Sequence, residues 1–310
     1  MSALFNIVLP VFLIIGAGYV TTRMRLLGMS AVEGVLSFTQ NFAFPCLLFR
    51  AISTFDIGEQ FHAPLLLSFY AAATICFVLG LVGARLLGRD AQDSVVIGFC
   101  CLFSNSMMLG VPITERAFGP GALGANFAII SVHAPYCYVI GIVAMEYVRA
   151  GGTGLPVFAL IRRIVRQILS NPLVIALILG FVVNLTHLAI PGPVIEALDM
   201  IARAALPSAL FAVGGVLVQY KLEGDWRLIG MICLITLLVH PALTWVFGSL
   251  GGLDRDAFRS AVLTASVAPG INTYVFANLY DRGKRSAASS LLIATGVCLF
   301  TVWFWLSVLP

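Results

Sequence analysis

Ten runs of this chain are long and apolar enough to cross a bilayer, and two of them contain residues that lipid does not tolerate. A spanning helix takes about 20 mostly apolar residues. On that measure the runs fall at 4–20, 33–51, 64–85, 94–117, 121–147, 171–190, 193–219, 227–250, 257–279 and 287–308. The fourth carries Ser104, Asn105, Ser106, Gly110 and Pro112 within FSNSMMLGVPI, and the ninth carries Pro269, Gly270, Asn272 and Thr273 within ASVAPGINTYVFA. Hydrocarbon offers no partner to a broken helical backbone, so such interruptions persist only where protein buries them or a cavity is lined by them. Two interrupted helices at corresponding places in two halves of a chain point to a transporter's binding site. The expected fold class is all-α integral membrane, with ten transmembrane helices of which helices 4 and 9 are broken.

Composition narrows the alternatives. Only 10% of the residues are charged and 60% are hydrophobic, whereas a soluble domain carries about 25% charged residues. The chain cannot solvate a globular surface. Its net charge of +4 does not imply nucleic acid, because the basic residues sit in short loops between apolar runs. Cys46, Cys76, Cys100, Cys101, Cys137, Cys233 and Cys298 all fall inside runs, where cysteine acts as a small hydrophobe. Neither a disulfide nor a metal site is expected, and no cofactor beyond a coupling ion, H⁺ or Na⁺. The first twenty residues lack a basic leader and a small-residue cleavage site, so they read as a first span.

Lys and Arg orient the runs. Thirteen follow odd-numbered runs, among them Arg23, Arg85, Arg149, Arg162, Arg163, Arg166, Arg227 and Lys284, against Arg50, Arg116, Arg203, Arg255 and Arg259 on the other side. Both termini are therefore expected outside and the linker at 150–170 in the cytoplasm. That linker contains IRRIVRQIL, a basic amphipathic segment suited to anionic lipid headgroups. It also divides the chain into 1–149 and 171–310. Pro10 and Pro45 stand as far apart as Pro172 and Pro207, and the interrupted runs are the fourth of five in each half. An odd number of spans per unit makes the two units inverted repeats.

The run NSMMLGVP (Asn105–Pro112) resembles the fourth-helix motif of the auxin efflux carrier family: Asn, a small hydroxyl residue, three apolar residues, then Gly-apolar-Pro. YVFA (Tyr274–Ala277) resembles the family's ninth-helix Phe-Val-Phe-Ala, and Asn41–Ser53, Asn171–Asn184, Ala205–Gly215 and His240–Pro241 resemble bacterial members. Plant-type carriers have proline where this chain has Thr273, and here the break falls at Pro269 instead. The resemblance implies a PIN-like fold in which helices 4 and 9 cross near the bilayer centre. It implies scaffold and transport domains each built from both repeats, a homodimer through the scaffold, and residence in the plasma (inner) membrane. The implied cargo is a small carboxylate, auxin-like in plants and malonate- or malate-like in bacteria.

Half-helix N-termini present free N–H groups and partial positive charge, which suits a carboxylate. Asn105 can donate to that anion or accept from a freed backbone N–H, and Asn272 is open to the same two readings. Ser104, Ser106 and Thr273 supply further polar groups, while Gly110, Pro112, Pro269 and Gly270 shape the crossing. His133, His240 and Asp199 are candidates for proton or ion coupling. Each also has a structural reading: His133 as a satisfied bundle histidine, His240 bonded at the carbonyl that Pro241 frees, and Asp199 paired with Arg203 one turn on. Glu146 beside Tyr147 reads as an interface carboxylate, and Met107 and Met108 as fillers. These features fit a uniporter or carrier of a small organic anion, the alternative being a sodium- or proton-coupled symporter or antiporter. The chain has no HExxH, paired-Asp or GxSxG site, which argues against an enzyme. A receptor or scaffold gives no reason for two broken helices.

Overall fold

The structure, a computed structural model, describes residues 4–54, 61–151 and 157–310, and every regular element among them is helical. Residues 152–156 of the linker lie outside the described residues. Among the described residues, seven continuous helical stretches are long and apolar enough to span: Asn6–Arg23, Met29–Ser53, Ala63–Leu86, Pro120–Arg149, Gly192–Leu217, Trp226–Leu250 and Lys284–Val308. The remaining three runs are divided or short. The helices are α1 (Leu9–Arg23), α2 (Met29–Phe38), α3 (Phe44–Ser53), α4 (Ala63–Leu86), α5 (Ala91–Leu102), α6 (Val111–Phe118), α7 (Leu123–Arg149) and α8 (Val157–Leu169). They continue as α9 (Pro172–Thr186), α10 (Gly192–Arg203), α11 (Ala205–Leu217), α12 (Trp226–Leu234), α13 (His240–Leu250), α14 (Arg255–Ala265), α15 (Asn272–Tyr280) and α16 (Lys284–Val308). The fourth run thus becomes α5 and α6, the ninth α14 and α15. The sixth stops short of residue 190 because His187 takes a left-handed conformation that closes α9.

Prolines set where the helices widen. π-helical turns occupy Leu4–Val8, Thr39–Ala43, Ser106–Gly110 and Ile235–Val239. Each ends two residues before a proline: Pro10, Pro45, Pro112 and Pro241. A proline cannot donate to the carbonyl four residues back and its ring crowds that carbonyl. Widening the preceding turn relieves the clash, and such π turns cluster at functional places.

The helices pack in two sets. In one, α1 lies along α11, α3 along α9 and α10, and α2 along α11; in the other, α4 packs with α5 and α13, α14 with α7 and α13, and α16 with α12 and α15. Backbone-to-backbone approach holds the first set. A Cβ on Gly214 would stand 1.8 Å from the Ile15 carbonyl oxygen, and one on Gly18 2.0 Å from that of Phe211. Only glycine allows α1 and α11 this close.

Asp199 corrects the expected pairing with Arg203. Its carboxylate takes Nε of Arg50 at 2.6 Å and Nη2 at 3.3 Å. The packing of α3 on α10 brings a guanidinium into two-pronged geometry, which outcompetes a neighbour one turn away on the same helix. Glu146, expected as an interface carboxylate, lies 3.7 Å from Arg149 and accepts from the Tyr280 hydroxyl at 3.4 Å.

Candidate functional site

The two interruptions meet each other. Gly270 N–H donates to the Phe103 carbonyl at 2.9 Å, and Asn105 N–H donates to the Ala268 carbonyl at 2.8 Å. These bonds flank an isolated antiparallel bridge between Ser104 and Pro269. In such a ladder, residues opposite each other alternate between exchanging hydrogen bonds and exchanging none. Pro269 occupies a position that exchanges none, so its missing N–H leaves nothing unsatisfied. The opposing chain approaches Gly270 closely: a Cβ there would lie 3.0 Å from the Phe103 ring.

The backbone at the break is therefore satisfied by backbone, and the side chains are left over. The Asn105 carboxamide makes no cap hydrogen bond to the π turn that follows it, and the residue lines a cavity of about 320 Å³. Ser104 lines the same cavity, and its buried hydroxyl has no partner among the described residues. The Ser104 carbonyl accepts from His133 at 3.1 Å. A carbonyl only accepts, so Nε2 of His133 carries the proton in the neutral ring. Asn272 opens α15 at the cavity wall, and its Oδ1 accepts from the Tyr138 hydroxyl at 3.3 Å. That bond turns the donor end of the amide away from Tyr138. Thr273 does serve the backbone, since both its N–H and its hydroxyl donate to the Gly270 carbonyl.

Of the residues expected at the site, the cavity gathers Ser104, Asn105, Ser106, Gly270, Asn272 and His133. It leaves out Gly110 and Pro112, which are buried where the π turn passes into α6. Pro269 lies in the bridge, and Thr273 is buried behind it. His240 sits off the cavity against the Phe69 ring, 5.1 Å between centroids, with Nε2 unpartnered among the described residues. The carbonyl that Pro241 frees, four residues back at Leu237, is instead taken by the Trp305 indole N–H at 2.9 Å. Asp199 is elsewhere, on α10. Met107 and Met108, expected as fillers, are buried and contribute to the wall.

The cavity also takes residues that the motifs did not indicate: Gln40, Asn41, Tyr138 and Asn171. Gln40 and Asn41 lie in the π turn before Pro45. A polar Thr-Gln-Asn run just ahead of a proline inside an apolar run carries the same signal as the fourth helix. Asn171 caps α9, its Oδ1 accepting from Leu173 N–H at 3.0 Å, which spends the oxygen and not the N–H groups of the amide. Three helical starts thus face one space: the π turn leading into α6, α15 and α9. Among the described residues, no Asp, Glu, Lys or Arg lines it. Behind the crossing, Asn126 of α7 donates to Thr264 at 2.6 Å and to Thr114 at 3.3 Å, tying α14 and α6 together.

Over residues 3–306 the sequence matches the family described as "Membrane transport protein". The chain belongs to that family. The family includes the auxin efflux carriers that the paired motifs resemble. Across 97% of this chain and 94% of the relative, it is 27% identical to a protein described as "Putative malonate transporter" from Rhizobium meliloti (strain 1021). It is 23% identical to "Uncharacterized transporter YfdV" of Escherichia coli (strain K12), over 97% of this chain and 96% of that one. With "Probable auxin efflux carrier component 5c" of Oryza sativa subsp. japonica, identity is 20% over 70% of this chain and 71% of the relative. The family and these relatives are transporters, not enzymes. This chain is an integral membrane transporter.

Proposed function

We propose that the chain carries a small organic anion, a carboxylate of malonate or malate size, by alternating access, and binds it where the two broken helices cross. The observation that carries this reading is Asn105, which lines the cavity without capping the turn after it, the backbone around it being satisfied through Ala268 and Phe103. Three helix starts contribute partial positive charge, and Asn105, Asn171 and Asn272 bring side-chain amides to the same space. With no Lys or Arg among the described residues of the wall, the anion is held by neutral donors, which keeps release possible. The description of the Rhizobium relative supports the substrate class.

In this reading the ten runs form two inverted five-helix units with both termini outside. The set containing α1, α3, α9, α10 and α11 is the scaffold of a homodimer, and the set around the crossing is the moving transport domain. Matching partners support the inversion: α4 with α5 in the first half corresponds to α13 with α14 in the second.

A proton-coupled carrier is the second reading, favoured by His133. That ring alone among the coupling candidates lines the cavity. The test is uptake of labelled malonate, malate and indole-3-acetate into proteoliposomes, with membrane potential and pH gradient imposed separately. Flux driven by potential alone supports the uniporter. Flux that needs the pH gradient and survives in Asn105→Ala but not His133→Gln overturns it in favour of coupling.

A further inference from the structure

Among the described residues of the helix α8 (Val157–Leu169), four large apolar side chains are exposed. Phe158, Ile161, Val165 and Leu169 recur at helical spacing and are exposed by 81%, 54%, 45% and 53%. Arg162 and Arg166 are exposed alongside them. The helix sequence holds three arginines and no acidic residue. An apolar stripe flanked by arginines fits the boundary between acyl chains and headgroups, with the charged heads among anionic phosphates. Water suits the arginines but not the stripe, and a neutral leaflet suits the stripe alone.

The position of α8 bears on the cavity. It packs against α7 and α9, and its last residue leads directly into Ser170 and Asn171, both of which line the cavity. Pro172 follows with fixed φ, so little slack separates α8 from the cavity mouth.

We propose that α8 docks on the anionic phospholipid leaflet, and that this docking holds Ser170 and Asn171 at the cavity mouth. The proposal rests on the membrane placement of the chain and not on the identity of the cargo. Each arginine at an anionic surface raises partitioning by about fivefold, so loss of two weakens docking by an order of magnitude or more.

The full chain is reconstituted in phosphatidylcholine vesicles with and without about 30% phosphatidylglycerol. It carries a nitroxide at Phe158→Cys, with the partly exposed Cys46 and Cys233 replaced by alanine. Collision with oxygen reports acyl chains, and collision with a nickel chelate reports water. The expected result is a label reached by oxygen and shielded from nickel in the anionic vesicles, and released to nickel by Arg162→Gln/Arg166→Gln. Flux of labelled malonate rises several-fold with phosphatidylglycerol in the parent chain and not in the double variant. A label open to nickel in both lipids overturns the proposal, as does shielding that persists in the double variant. Shielding that grows with protein density at fixed lipid overturns it too, because a second copy is then the occupant. If no carboxylate gives flux, the collision readout still decides docking, and the failure falls on the cargo reading.

Discussion

Gly270 reaches across the crossing to give its N–H to the carbonyl of Phe103 at 2.9 Å. That bond joins two interruptions 167 positions apart in the chain, and with its companion from Asn105 to Ala268 it changes what the polar side chains are for. In a broken helix, Asn, Ser and Thr commonly repair the backbone. Here Ser266 and Thr273 do so, while Asn105, Ser104 and Asn272 line the cavity.

The Tyr138 hydroxyl aims Asn272, and removing it leaves the amide free to turn. Tyr138→Phe is expected to raise the KM for the carboxylate about three- to tenfold, as the loss of a modest hydrogen bond would, with little change in maximal flux. In Asn272→Ala the same substitution adds nothing, so the two effects in a double-mutant cycle on initial uptake rates are strongly non-additive.

Gly214 is the closest backbone contact between α1 and α11. Gly214→Ala forces the helices apart, and a loss of about 1–3 kcal/mol is expected, read as a lowered melting temperature in detergent. Gly230→Ala is the control. A Cβ there meets nothing within 4 Å, so that variant is expected to match or slightly exceed the parent.

The Arg50–Asp199 pair fixes α3 against α10. Arg50→Gln or Asp199→Asn alone leaves a charge without its partner and is expected to lower stability by about 1–2 kcal/mol. The double variant Arg50→Gln/Asp199→Asn recovers part of the loss, because neither residue is then left charged. Arg203→Gln, by contrast, is expected to leave the melting temperature nearly unchanged.

At the loop before α12, Asp225 accepts from Arg227 N–H and faces Arg89 at 3.1 Å. The backbone bond first, and the Arg89 guanidinium with it, hold its carboxyl below the ordinary value. A depressed folded value means stabilisation that is complete above the unfolded carboxylate value, about 4, and is lost as pH falls through the folded one. Asp225→Asn still caps the helix but lacks the charge. Its melting temperature is expected to lie below the parent's at pH 7 and to converge with it under acid.

What the sequence made legible follows from which signals are local. The interruptions at Asn105–Pro112 and Pro269–Thr273 stood out because Pro, Gly and Asn have no place in a lipid-facing helix. Tyr138 and Asn171 were hidden, since nothing in an ordinary apolar helix or at a helix cap says which space a side chain will line. Arg50 was hidden from Asp199 because α3 and α10 meet only through tertiary packing, and the neighbour at i+4 is the default when only spacing is known. Gln40 and Asn41 were within reach: they precede Pro45 as Ser106–Gly110 precedes Pro112.

The most direct test of the account is equilibrium binding of malonate to the purified chain and to Asn105→Ala. Hydrogen bonds to a charged group contribute about 1.5–3 kcal/mol, so affinity is expected to fall roughly 10- to 100-fold. The melting temperature without ligand is expected to stay close to the parent's, because backbone groups hold the crossing. Equal affinity in a well-folded Asn105→Ala would contradict the account and place the anion elsewhere.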